Sequence, residues 1–165
     1  MPFNGAVASK TGLARLPWVC MSDSQKFPVA AHALAYLAHK GAFSAADAVS
    51  SAALAASMPT NPVVVRRVTS MLVKAGLIDT RAGAGGGAWL LKRPEDIRLD
   101  AVLRAVDGCA HLGVPPPGAK GCPIGERIPD AVRGAIAAAD QAAADRLSHI
   151  SVADLLNQAA PSQAA

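Results

Sequence analysis

Aromatic side chains are scarce: Phe, Trp and Tyr make up 4% of 165 residues, while alanine dominates an apolar fraction of 52%. Sheet sandwiches draw their cores from bulky aromatic and β-branched residues, so this composition points to closely packed helices instead. Cysteine is also rare. Cys20, Cys109 and Cys122 do not make a disulfide framework for a chain of this length. No apolar run approaches the roughly 20 residues that a membrane-spanning helix needs. The opening MPFNGAVASKTGLARLPWVC has Lys10 and Arg15 but no uninterrupted apolar stretch of the kind a secretory signal carries. A cytoplasmic protein with no membrane partner is therefore expected. A carboxylate pair, a Ser-His-Asp set and a phosphate-binding lysine after glycines are all missing, so catalysis is not expected.

Charge is present but unevenly spread. The formal net value is +4. Arg66, Arg67, Lys74, Arg81, Lys92, Arg93 and Arg98 face only Asp79, Glu95 and Asp96 in the middle of the chain. From Glu126 to Asp154 the acids outnumber the bases. A polyanion would meet the middle.

Periodic sequence begins only after Met21, so residues 1–22 are read as a disordered leader or a mis-assigned start. Phe27 to Lys40 places Val29, Ala33, Leu34, Leu37 and Ala38 on one helical stripe that Gly41 stops. Ser50 or Ser51 can cap a short helix carrying Leu54, and SMPTNP is a turn. Thr60 or Asn61 then caps a second helix with Pro62 near its first position. Val65, Val68 and Leu72 form its buried stripe, Arg66, Arg67, Ser70 and Lys74 lie on other faces, and Gly76 ends it. Two helices across a tight turn describe a helix-turn-helix.

The stretch RAGAGGGAWLL, Arg81 to Leu91, carries four glycines. A nucleotide-binding glycine loop runs from a strand into a helix whose N-terminal amides hold phosphate. This one runs into AWLLKRP, which reads as a strand, and no Gly-Lys-Ser/Thr follows. Leu77–Arg81 and Ala88–Lys92 are thus expected to pair as a hairpin with glycines at its tip, a wing. Beyond it, a helix within Asp96–Gly108 turns Val102, Leu103 and Val106 inward. A proline- and glycine-rich loop with two cysteines follows. A long helix is expected from about Pro129, with Ile128, Val132, Ile136, Ala139, Ala143 and Leu147 recurring as a seam for a partner helix. Ser151 and Asp154 suit a capping box for a last short helix.

The order of TNPVVVRRVTSMLVKAGLIDTRAGAGGGAWLLKRPEDIRLDAVLRAVDG, then CPIGERI, then ISVADLL, resembles the Rrf2 family of winged-helix transcription regulators. The resemblance spans about Phe27 to Leu156. It implies a mainly α fold with a small β-hairpin wing: a winged helix-turn-helix over 23–107, a cysteine-containing loop over 108–126, a dimerisation helix and closing helix over 127–158, and a disordered tail over 159–165. It further implies a homodimer that binds double-stranded DNA at a palindromic operator, with repression the expected outcome. Base-facing positions fall on Asn61, Val63, Arg66 and Arg67, flanked by Thr60 and Ser70. The wing contact falls on Arg81 with Gly85 and Gly86, and Val132, Ile136, Ala139 and Ala143 are expected at the dimer interface. The residues themselves point to the same face, because arginine offers a two-pronged donor to guanine or a charge to phosphate. A helical module that dimerises without touching DNA is the alternative.

Several family members hold an iron–sulfur cluster on three cysteines of this loop. Here the loop has Cys109 and Cys122, with His111 beside the first. Cluster iron commonly takes four thiolates, so no cofactor is expected, and a cluster or metal on Cys109, His111 and Cys122 is the alternative. A second reading makes Cys109 and Cys122 a redox sensor, since a thiolate near Lys120 and Arg127 is open to oxidation. The bland reading makes Cys122 a small buried hydrophobe.

Overall fold

The computed structural model describes residues 25–83, 85–106 and 113–159. The expected leader, Cys20, Cys109 and His111 lie outside the described residues. Helices α1 (Lys26–His39), α2 (Ser51–Ala56) and α3 (Pro62–Lys74) precede an antiparallel hairpin of β1 (Ile78–Arg81) and β2 (Gly87–Leu90). A single 3-10 turn at Pro94–Asp96 leads into α4 (Leu99–Val106), then α5 (Pro123–Ser148) and α6 (Val152–Ala159). Helix α1 is the centre: it packs against α3, α4, α6 and β2. Leu34 and Leu37 of α1, Leu72 of α3, Ile78 and Leu90 of the hairpin, Val102 of α4 and Val152 of α6 are all buried in one core.

Local chemistry sets the helix ends. Ser50 Oγ accepts from the Ala53 N–H at 3.1 Å, and Asn61 Oδ1 accepts from the Val63 N–H at 2.9 Å. Pro62 takes the first helical position, where its missing N–H leaves nothing unbonded. Helices α1 and α3 close in the same way. Gly41 (φ 67°) and Gly76 (φ 65°) adopt the left-handed conformation. The next residues, Ala42 and Leu77, donate back to Leu37 and Leu72 at 3.0 and 3.1 Å. Each closing bond joins two buried apolar residues, so the stop signal is also a core contact.

At α6 the expected capping box is present. Asp154 Oδ2 accepts from the Ser151 N–H (2.8 Å) and hydroxyl (2.7 Å), and Ser151 Oγ accepts from the Asp154 N–H (3.1 Å). The Ser151 N–H, then its hydroxyl, hold the Asp154 carboxyl below its ordinary value of 3.8, with the Arg98 charge adding to this. Protonation is thus easier in the unfolded chain, and stability from this group is lost as the pH falls below that ordinary value toward the native one. Asp154→Asn should therefore unfold more readily than the parent at neutral pH in urea. The two should converge in acid, and a constant gap across the whole pH range would refute this.

The structure corrects several expected boundaries. Helix α5 starts at Pro123, not about Pro129, so the cysteine loop ends at Cys122 rather than at 126. Two prolines compete for the first helical position, and Pro123 holds it because two side chains cap the helix there. Cys122 Sγ accepts from the Gly125 N–H at 3.3 Å, and Glu126 Oε1 accepts from the Gly121 N–H at 2.8 Å. Pro129 then sits inside the helix, unable to donate to the Gly125 carbonyl. Gly118 passes so close to that carbonyl that a Cβ would collide with it. Strand β2 ends at Leu90 rather than Lys92, whereas α4 starts at Leu99, after the 3-10 turn, inside the expected span Asp96–Gly108. The stretch before α2 adds a third partner to the hairpin. Val49 and Ala88 exchange both backbone hydrogen bonds at 2.9 Å.

Candidate nucleic-acid interface

Helix α3 has two opposed faces. At 3.6 residues per turn, Val65, Val68 and Leu72 share one stripe, and all three are buried. Val63, Arg66, Arg67 and Ser70 follow the i, i+3, i+4, i+7 rule on the far side, and all four are exposed. The core stripe thereby aims the second stripe straight away from the protein. Neither arginine forms an ion pair among the described residues, so both guanidinium forks are available. Val63 is 58% exposed, an apolar side chain offered to solvent at the start of a basic face. Lys74, four residues beyond Ser70 and also exposed, extends the stripe by a turn. Sequence reading set it on another face without joining it to the site, although the same period of 3.6 places it there.

The residues before α3 divide their work. Asn61 spends its side-chain oxygen on the helix cap and keeps its amide N–H groups free. Thr60 is half-buried, and its hydroxyl donates to Gln25 Oε1 at 3.1 Å. It ties the start of α3 to the start of α1.

The wing is shaped by backbone approach. Gly83 (φ 97°) and Gly85 (φ 75°) turn the chain through the left-handed region. Gly86 and Gly87 have a different reason to be glycine: a Cβ would strike the Arg81 carbonyl in the first case and the Val49 carbonyl in the second. Arg81, paired with Gly87 across the hairpin, folds its guanidinium back so that Nη2 donates to the Gly85 carbonyl at 3.2 Å. The tip thus carries bare backbone and one cation with most of its donors unspent. Gly87→Ala should push Val49 away and break its pair of bonds to Ala88. The expected loss is about 1–3 kcal/mol in urea unfolding, and a stability within error of the parent would show that the hairpin tolerates the shift.

At the other end, α5 packs against α4. Of the expected seam, Leu147 packs on the chain's own core, Ile136 and Ala143 are half-buried, and Ala139 is exposed. Ile128 (50%) and Val132 (40%) are exposed, and Ile124 (67%), which the sequence reading left out, continues the same stripe one turn earlier. Cys122 is exposed, contrary to the buried reading. Among the described residues no three His, Cys, Asp or Glu side chains converge on a possible metal position, and the Cys122 sulfur is engaged by the Gly125 N–H. No helix among the described residues is long and apolar enough to cross a membrane.

Comparison with known proteins converges on one family. The family model of Rrf2, described as iron-dependent transcriptional regulators, matches residues 23–158. The chain is 38% identical over 113 residues to YwnA of Bacillus subtilis, which bears the name of an HTH-type transcriptional regulator; the match covers 67% of this chain and 84% of that one. A transcriptional regulator from Lactobacillus plantarum of known structure superposes with a TM-score of 0.69 at 26% identity, covering 84% of this chain and 91% of the other. IscR of T. potens shares the fold, with a TM-score of 0.56 at 24% identity over 86% and 90% of the two chains. The outward arginine stripe, the glycine wing and these likenesses place the chain in the Rrf2 family of winged helix-turn-helix, DNA-binding transcriptional regulators.

Proposed function

We propose that this regulator acts in the cytoplasm as a homodimer on a palindromic operator, and that operator occupancy represses transcription. The reading rests on one observation: Val63, Arg66, Arg67 and Ser70 form an exposed stripe directly opposite the buried face of α3. Such a stripe in a major groove gives arginine forks to guanine and a valine to a thymine methyl, while Arg81 and the glycine tip meet the neighbouring backbone. The exposed apolar residues of α5 favour a second copy, since two chains related by a two-fold axis read an inverted repeat. A dimer seated across a promoter excludes polymerase without any further surface. The protein works by binding, not by catalysis.

Its response is assigned to thiol chemistry rather than to a resident cluster. The loop carries two cysteines, Cys109 and Cys122, one fewer than the three on which several family members hold a cluster. Cys122 caps the helix that joins the DNA-binding half to the partner, so oxidation of its exposed sulfur, alone or in a disulfide with Cys109, alters that joint. Capture of genomic fragments by purified protein, with and without a reductant, tests these points together. An enriched inverted repeat, released on oxidation and retained by Cys122→Ser, is the expected result. No enrichment, together with no salt-sensitive retention on random duplex, would support the helical module that dimerises without DNA. An iron–sulfur absorbance band under anaerobic purification would overturn the cofactor-free reading.

A further inference from the structure

Where the end of α5 meets α6, two opposite charges share one crevice without neutralising each other. The crevice has a volume of about 420 Å³. Arg146 and the cap residue His149 line it from α5, Asp154, Asn157 and Gln158 line it from α6, and Ile150 comes from the turn between them. The spacing explains the grouping: Arg146 and His149 are three residues apart, and Asp154, Asn157 and Gln158 follow the i, i+3, i+4 rule on one face of α6. Both walls are anchored from behind, because Val152 is buried and Leu147, Ile150 and Leu155 pack on the core.

The polar groups facing the crevice are mostly unpaired. The side chains of Arg146, His149, Asn157 and Gln158 bond to no other described residue. Asp154 gives Oδ2 to the capping box and keeps Oδ1. Arg146 and Asp154 form no ion pair, and Arg98 acts on Asp154 by its charge without forming one either. A simple anion drawn to Arg146 would meet the Asp154 carboxylate, and a simple cation drawn to Asp154 would meet Arg146. Only a molecule that carries both charges suits both walls.

We propose that this crevice binds a small zwitterion, a free α-amino acid. Its carboxylate lies on the Arg146 fork and its ammonium on Asp154 Oδ1. Its side chain lies against Ile150 and the amides of Asn157 and Gln158, which can both donate and accept. The volume is in the range of small-molecule sites. Such a ligand ties the end of α5, the helix that carries Ile124, Ile128 and Val132, to α6.

The test uses the full chain free of DNA, so its outcome does not depend on how the chain meets an operator. Each standard L-α-amino acid is titrated singly to millimolar concentration while backbone amide resonances are followed. At least one should shift the amides of Arg146, His149, Asp154 and Asn157 saturably. The N-acetyl derivative of that amino acid lacks the ammonium, and its carboxamide lacks the carboxylate. Each should bind at least about tenfold more weakly, as expected when a hydrogen bond to a charged group is lost. Arg146→Gln, at an exposed position with no side-chain partner, should lower affinity for the intact amino acid by a similar factor and leave distant resonances in place. Probing the ammonium end through the ligand leaves the Asp154 capping box intact. Absence of a saturable shift with every amino acid would overturn the proposal. So would an N-acetyl derivative that binds as well as its parent compound, or an Arg146→Gln variant with unchanged affinity.

Discussion

Arg67→Ala should weaken operator binding by about 10- to 100-fold, and Arg66→Ala/Arg67→Ala should abolish a resolvable gel shift. The magnitude follows from the roughly 1–3 kcal/mol that a well-formed arginine–base contact contributes to discrimination. It can be read cleanly because both side chains are exposed and lie opposite Val65, Val68 and Leu72, so removing them leaves the core of α3 untouched. Each arginine can also be assigned. One that forks onto guanine loses preference at a single base pair when removed. One that meets phosphate weakens all sequences alike and lowers the salt slope by about one. An unchanged gel shift for both single variants would show that α3 is not the recognition helix.

The second large effect lies at the opposite end of the molecule. Ile128→Asp/Val132→Asp should convert the protein to a monomer in sedimentation and lower affinity for the full palindrome by more than 100-fold, while a half-site is bound as before. A two-fold interface feels each substitution twice. At about 1.5 kcal/mol or more per apolar side chain buried, four lost contacts cost about 6 kcal/mol, a loss of dimer affinity on the order of 10,000-fold. In the single chain both residues are exposed, at 50% and 40%, so charges there do not threaten the fold. A parent that is monomeric at every concentration, or a variant that stays dimeric, would refute the assignment of this stripe.

Much of the site was legible in the sequence because its signals are local. A cap needs its own side chain and an N–H two or three residues on, as Asn61 and Ser50 show. A helical face is a matter of spacing, so the division of α3 into Val65/Val68/Leu72 and Val63/Arg66/Arg67/Ser70 follows from the period alone. The run into AWLL was likewise enough to distinguish a hairpin tip from a phosphate loop. The start of α5 was not legible, because Pro123 and Pro129 are equally good first residues until Glu126 folds back to Gly121.

By itself, then, the sequence determined which residues cap, which turn and which stripe points outward, since each of these depends on neighbours within about one helical turn. Tertiary structure alone decided which glycines stand at φ above zero and which stand against a carbonyl, that Val49 completes the wing, and that Thr60 is drawn to Gln25. It also decided that Leu147 packs on the chain's own core while Ile124, Ile128 and Val132 are left uncovered. These outcomes depend on segments distant along the chain arriving within a few ångströms of one another, and residue spacing carries no record of that approach.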